Sequence, residues 1–180
     1  MSQWKVTSTK TVFEHPRLSL AIDDVVLPDG KASTYLRFLP GPGAVSILAR
    51  NTQGKLLLMT EYSHPLGVSM YQLPGGSIEE GETNEQAAAR ELAEEAGLAA
   101  GKMTYLGSFY MDNRRTTDKM FIYLAEDLSD HKLPGDDEEQ GLESFWLTHA
   151  EVGELIRAQQ LENNRALAAW ALYLESSYVA

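Results

Sequence analysis

The stretch that most constrains this chain is GGSIEEGETNEQAAARELAEEAGL, residues 75–98. Its second half reads as an amphipathic helix. Thr83 and Gln86 form a capping-box pair at its start, and Gly97 stands where a helix commonly ends on a left-handed residue. Within that helix Glu91, Glu94 and Glu95 fall inside an arc of roughly 100°. Leu92, Ala89, Ala93 and Ala96 occupy the adjoining side and are expected to pack on a sheet. Glu91 and Glu95 are an i,i+4 like-charge pair, which costs about 0.2–0.5 kcal/mol in an isolated helix, and more when partly buried. Two readings follow: a solvated acidic face, or a platform for a cation. Solvated faces usually alternate in sign, yet Arg90 is the one basic residue from Thr83 to Leu98. Grouped carboxylates are the ligands that a hard divalent cation prefers.

Composition narrows the partners. The 180 residues fit one domain, or one domain with an appended subdomain, and can bury a real core. Lys and Arg number 15 against 26 Asp and Glu, a formal charge of −11. That surplus opposes nucleic acid or an anionic membrane as a broad-surface partner. A small phosphorylated substrate stays compatible, because a bound divalent cation inverts the local field. The absence of cysteine excludes disulfides, thiolate metal sites and cysteine nucleophiles. The N-terminus lacks the apolar run of a signal peptide, and no segment reads as long enough to span a bilayer. A cytoplasmic protein is expected.

Along the chain, the first forty residues suggest an antiparallel β-meander, with strands near Leu18–Leu27 and Ala32–Phe38 about a Pro28–Lys31 turn. Pro40-Gly41-Pro42-Gly43 breaks the chain and predicts a boundary between residues 1–40 and 41–180. Ala44–Ala49 and Lys55–Tyr62 read as strands joined into a hairpin by Asn51–Gly54. Met70–Leu73, Met103–Tyr110, Lys119–Glu126 and Glu143–Leu147 read as further strands, and 150–159 and 164–174 as helices. Strands with helices on their faces imply an α/β or α+β sandwich.

From Gly76 the chain runs glycine, five residues, Glu82, seven residues, then Arg90-Glu91-Leu92-Ala93-Glu94-Glu95-Ala96-Gly97-Leu98. This resembles the Nudix box, G-x5-E-x7-R-E-U-x-E-E-x-G-U with U aliphatic, at all nine fixed positions over twenty-three residues. The resemblance implies an α/β fold, a Nudix α/β/α sandwich with a mixed sheet, here preceded by the β-meander. It also implies Mg²⁺- or Mn²⁺-dependent hydrolysis of a nucleoside diphosphate linked to another group. The meander, Glu61-Tyr62 and Leu73-Pro74-Gly75-Gly76 resemble the ADP-ribose and nucleoside diphosphate sugar pyrophosphatases, in which N-terminal strands commonly swap between the subunits of a homodimer.

That resemblance assigns roles. Glu91 and Glu95 correspond to metal ligands, the carbonyl of Gly75 to a further one, and Glu94 to a residue that shares a metal or orients water. Glu82 and Arg90 are expected to pair and support the geometry. A loop glutamate before the last strand completes the site in such enzymes, which points to Glu138 ahead of Glu139 as base; a solvated acidic turn is the alternative. Arg114 and Arg115 stand where these enzymes often carry a proline, and Ser63-His64 follows Tyr62 where an arginine is common. Either departure argues against strict ADP-ribose specificity. Arg114 and Arg115 are candidates to grip the substrate's diphosphate, against the alternative of solvated loop residues. The expected partner is a small nucleotide sugar. Two alternatives belong elsewhere: a hydrolase of nucleoside triphosphates or capped RNA, and a module that senses a nucleotide sugar without cleaving it. The long meander and acidic surface oppose the first, and the complete box opposes the second.

Overall fold

The computed structural model describes residues 3–134 and 142–176. By contact the chain divides into two compact units, one comprising residues up to Pro42 with Tyr110–Lys119, the other Gly43–Phe109 and residues from Met120 onward.

In the first unit, β1 (Lys5–Phe13), β2 (Leu20–Val26) and β3 (Ala32–Phe38) form an antiparallel sheet in the order β1-β2-β3. The sequence KVTSTKTVF of β1 has no apolar alternation, and all nine residues are exposed; the sequence reading named no strand there. On β2 Ala21, Asp23 and Val25 are buried, and the Asp23 carboxylate is tied to Arg37 at 2.6 Å and to Thr9 at 2.7 Å. The 110–119 segment joins this unit through Phe38 N donating to Arg115 O and Gly41 N donating to Asp118 Oδ1, both at 2.8 Å.

The second unit holds β4 (Ala44–Ala49), β5 (Leu56–Ser63), β6 (Val68–Gln72), α1 (Asn84–Glu95), β7 (Leu98–Tyr110), β8 (Lys119–Asp130), β9 (Glu143–Leu147), α2 (His149–Arg157) and α3 (Asn164–Leu174). Its strands make two sheets, β4-β8-β7 and β6-β5-β9, and β4 runs parallel to β8. The turn expected at Asn51–Gly54 is present, with Asn51 N donating to Lys55 O, but β4 and β5 pair only at the Arg50–Leu56 bridge. The predicted hairpin is therefore replaced by two sheets. Every residue of β4 is buried, so β4 needs cover on both faces, which a two-stranded hairpin lacks.

Val45, Ile47, Ala49, Leu57, Met59, Tyr123 and Ala125 pack with Ala87, Ala88 and Leu92 of α1. Complete burial of a leucine such as Leu92 contributes about 1.5–3 kcal/mol. Strand alternation turns Ser46 and Leu48 to the opposite face, where α3 meets β4. Ala89, expected in the packed face of α1, is exposed instead, and Ala88 takes that place.

Candidate functional site

The helix that carries the glutamates begins as its sequence requires. Thr83 accepts from Gln86 N, and the Gln86 side chain accepts from Thr83 N at 2.8 Å, so the capping box is complete. Gly97 follows the C-cap Ala96 at φ 69°, a conformation that favours glycine. The last turn of α1 contains no basic residue. A cation arrives from elsewhere: Lys132 Nζ donates to the carbonyl of Glu94, while Leu133 N donates to Ala93 O at 3.2 Å. These bonds satisfy carbonyls that a helix end leaves open.

Arg90 organises the carboxylates. Its Nε donates to Glu82 Oε1 at 2.8 Å and its Nη2 to Glu82 Oε2 at 3.0 Å. Nη1 donates to Glu91 Oε1 and to Glu94 Oε2, each at 2.9 Å, and Nη2 also reaches Ser77 O at 3.0 Å. All five guanidinium donors are thus engaged. Arg90 holds the Glu82 carboxyl below its ordinary range, and the Glu82 hydrogen bonds in turn push the guanidinium pKa up. The expected Glu82–Arg90 pair is present. Sequence reasoning missed that one arginine also binds Glu91, Glu94 and the Ser77 carbonyl. Three carboxylates on one guanidinium leave surplus negative charge.

The turn Pro74-Gly75-Gly76 brings backbone to these acids. Ile47 N donates to Pro74 O and Val45 N to Gly76 O, both at 2.9 Å, which seats the turn along β4. Alternation then directs the peptide groups of Gly75 to the other edge. There Gly75 N donates to Glu95 Oε2 at 2.8 Å. A Cβ on Gly75 would stand 2.2 Å from Val45 O, and its φ is 148°; a Cβ on Gly76 would stand 2.4 Å from Glu91 Oε1. Glu91, 6% exposed, and Glu95 therefore both border this two-glycine turn, one against its Cα and one on its N–H.

Among the described residues no three Asp, Glu or His side chains form a ready cation cage. Magnesium sites commonly do without one, using one or two carboxylates, waters and substrate phosphates. Glu91, Glu95 and the carbonyl of Gly75 fit that donor set.

Glu138 and Glu139 are outside the described residues. Arg114 and Arg115 belong to the first unit. Arg114 N donates to Asp112 Oδ1 at 3.0 Å, and the Arg115 guanidinium lies 5.6 Å from the Tyr35 ring centroid. His64 is exposed beside Tyr62. Trp146 packs against the core of the second unit, and Trp170 against His149 and Tyr173.

Known proteins resemble this chain along most of its length. A model of the NUDIX domain matches residues 40–170. The ADP-ribose pyrophosphatase of Bacillus subtilis (strain 168) is 31% identical over 173 residues, covering 95% of this chain and 92% of that protein. A methanol dehydrogenase activator of Bacillus methanolicus is 30% identical over 166 residues, covering 92% and 89%. The crystal structure of an ADP compounds hydrolase superposes with a TM-score of 0.90 at 27% identity, covering 97% of this chain and 94% of that one. With the family model spanning residues 40–170 and the glutamate helix set against its two-glycine turn, this chain belongs to the Nudix family.

Proposed function

We propose that this chain is a Nudix pyrophosphatase that cleaves the diphosphate of ADP-ribose or a nucleoside diphosphate sugar, giving a nucleoside monophosphate and a sugar phosphate. The observation that carries this reading is the cluster of Glu91, Glu94 and Glu95 about Arg90 and the Gly75–Gly76 turn. The names of the relatives, an ADP-ribose pyrophosphatase and an ADP compounds hydrolase, support the substrate class. Nudix hydrolases generally use divalent cations, and in this chain Glu91, Glu95 and the Gly75 carbonyl would hold Mg²⁺ or Mn²⁺. Such a cation supplies charge neutralisation at the phosphoryl oxygens and an acidified water.

The chain's own residues do the rest. Arg90 fixes Glu91 and Glu94 in place, and Gly75 N fixes Glu95. Glu94 orients water, a loop carboxylate (Glu138 ahead of Glu139) accepts the water's proton, and Arg114 and Arg115 bind the diphosphate. Water attacks phosphorus, the P–O bond to the leaving phosphate breaks, and the leaving oxygen departs with the bond's electron pair. One relative's name describes activation of another enzyme; the complete set of box carboxylates favours turnover over a purely regulatory role. The enzyme works in the cytoplasm as a homodimer whose interface uses residues 1–40. Trp4, Val6, Val12 and Phe13 stand exposed on the first unit, as a partner-covered sheet requires.

Incubating ADP-ribose and GDP-mannose with enzyme and Mg²⁺ or Mn²⁺ in ¹⁸O water tests the chemistry. The label is expected in a phosphate product. Free sugar beside an intact nucleoside diphosphate would contradict this reading, because it locates the cut at the glycosidic bond.

A further inference from the structure

We propose that Lys132 is a positioning residue: with its neighbours His131 and Leu133 it binds down the last turn of α1, and so keeps Glu94 and Glu95 in place for the cation and its water. The inference rests on the pyrophosphatase reading and adds the segment that sets the roots of those two side chains. Arg90 and Gly75 fix their tips, with Glu94 Oε2 on Arg90 Nη1 and Glu95 Oε2 on Gly75 N. A tip stays in place when the turn beneath it keeps its shape. That turn needs support, because a helix end leaves carbonyls without intrahelical partners and tends to fray. Two carboxylates at the negative end of the macrodipole weaken it further, and the last turn contains no basic residue.

The support comes from the end of β8. β8 pairs with β7, and β7 begins at Leu98, directly after the helix. The chain that leaves β8 at Asp130 therefore passes the end of α1, and three successive residues bond to it there. His131 N donates to Gly97 O at 2.8 Å, Lys132 Nζ donates to Glu94 O, and Leu133 N donates to Ala93 O at 3.2 Å. Gly97 leaves room for this: a Cβ on it would stand 3.3 Å from Lys132 Cδ, so the lysine stem lies across the glycine on its way to the carbonyl. Pro134 biases Leu133 toward extended backbone, which continues the line of β8 past the helix. Lys132 is also the only Lys or Arg between Lys119 and Arg157, a stretch with ten Asp and Glu. The one such cation of that stretch is thus at the helix end that carries Glu94 and Glu95. Its side chain is exposed, so the bond adds little to global stability. Its value lies in geometry, since a misplacement of about 1 Å can cost about 100-fold in rate.

Lys132→Met in the full-length chain retains most of the stem and removes the donor. Melting in chelator should stay within about 3 °C of wild type. Hydrogen exchange at the amides of residues 94–97, followed by NMR in chelator, should nevertheless quicken. Mn²⁺ affinity, measured by calorimetry without substrate, should fall about tenfold. Charge alone predicts the opposite sign, because removing a cation from beside a metal site tightens metal binding. Lys132→Arg restores a donor for the Glu94 carbonyl and should recover the affinity to within about threefold. Mn²⁺ affinity in Lys132→Met equal to or above the wild-type value overturns the proposal. So does unchanged exchange in the last turn, or a loss of affinity that arginine does not repair. Turnover is read separately. A wild-type chain that binds Mn²⁺ but cleaves neither ADP-ribose nor GDP-mannose sinks the pyrophosphatase reading alone, because affinity and exchange are measured without substrate.

Discussion

Replacing Gly76 by alanine puts one methyl group against one carboxylate. The added Cβ would lie 2.4 Å from Glu91 Oε1, 2.8 Å from Cδ and 2.9 Å from Oε2. An ordinary contact needs about 3.5 Å, so the carboxylate must retreat by roughly 1 Å. Glu91 is 6% exposed and held by Arg90 at 2.9 Å, so it cannot simply swing into water. A side chain forced about 30° off its rotamer costs about 0.5–1.5 kcal/mol, and overpacking a filled site costs about 1–3 kcal/mol. Gly76 has no positive φ, so the backbone accepts alanine. The less flexible unfolded chain returns about 0.4–1 kcal/mol.

The net destabilisation is therefore small, about 0.5–2 kcal/mol, or roughly 1–8 °C in melting temperature for a chain this size. Activity should respond far more. If Glu91 holds a cation, a displaced carboxylate lowers Mn²⁺ affinity and cuts turnover by about 100-fold or more. The assay is turnover on ADP-ribose, Mn²⁺ titration by calorimetry, and melting in chelator. A Glu91→Ala background supplies the control: there Gly76→Ala should be neutral or stabilising, since the three nearest atoms its Cβ would meet are gone. Wild-type turnover and Mn²⁺ affinity in Gly76→Ala would refute the reasoning. So would an equal destabilisation with and without the Glu91 side chain.

Glu95→Gln keeps an acceptor for Gly75 N but removes a charge; turnover should fall by about 100-fold or more, melting in chelator should stay level, and the stabilisation given by added Mn²⁺ should shrink. Arg90→Met strands three carboxylates and should destabilise by roughly 2–4 kcal/mol, below the figure for a fully buried pair. The Glu82 carboxyl is held low by Arg90, so the unfolded state binds the proton more readily. That contribution is complete above the unfolded pKa of about 4.5 and lost as pH falls through the folded value, so the melting gap between Arg90→Met and wild type should narrow in that acid range. Burial, and then Arg50, push the His149 imidazole below its ordinary range; it should titrate below 6.5 by NMR. Wild-type stability should then fall from pH 7 to 5 more steeply than that of His149→Phe, which keeps the ring contacts with Trp170 and Tyr173.

Local chemistry was legible in the sequence. Thr83, Gln86 and Gly97 mark the ends of α1 because caps are decided by neighbouring residues. β3, β4, β9 and α3 keep the limits that pattern and turn residues assign. Partners distant in sequence were not legible. Asn51–Gly54 makes its turn, but nothing in six apolar residues says that β4 will run parallel to β8 rather than return on β5. Ala88 and Ala89 are alike in size and polarity, so only the sheet beneath decides which one is buried. The Pro-Gly-Gly run announced a tight turn. That Glu91 would lie where a Gly76 Cβ belongs depends on α1 and β4 meeting, and no local pattern encodes that distance.

The crowding of glutamates on α1 now has a physical account in three parts. Arg90 answers Glu82, Glu91 and Glu94 with four of its five donors, more than the three a lysine carries. Gly75 N answers Glu95, and Lys132 supplies positive charge at a helix end where the macrodipole is already negative. These contacts stabilise the arrangement without neutralising it. A chain selected only for stability could reach the same helix with fewer acids, since each buried carboxylate carries a desolvation cost. In the proposed function a cation shares that charge, and the two-glycine turn keeps backbone close to both Glu91 and Glu95.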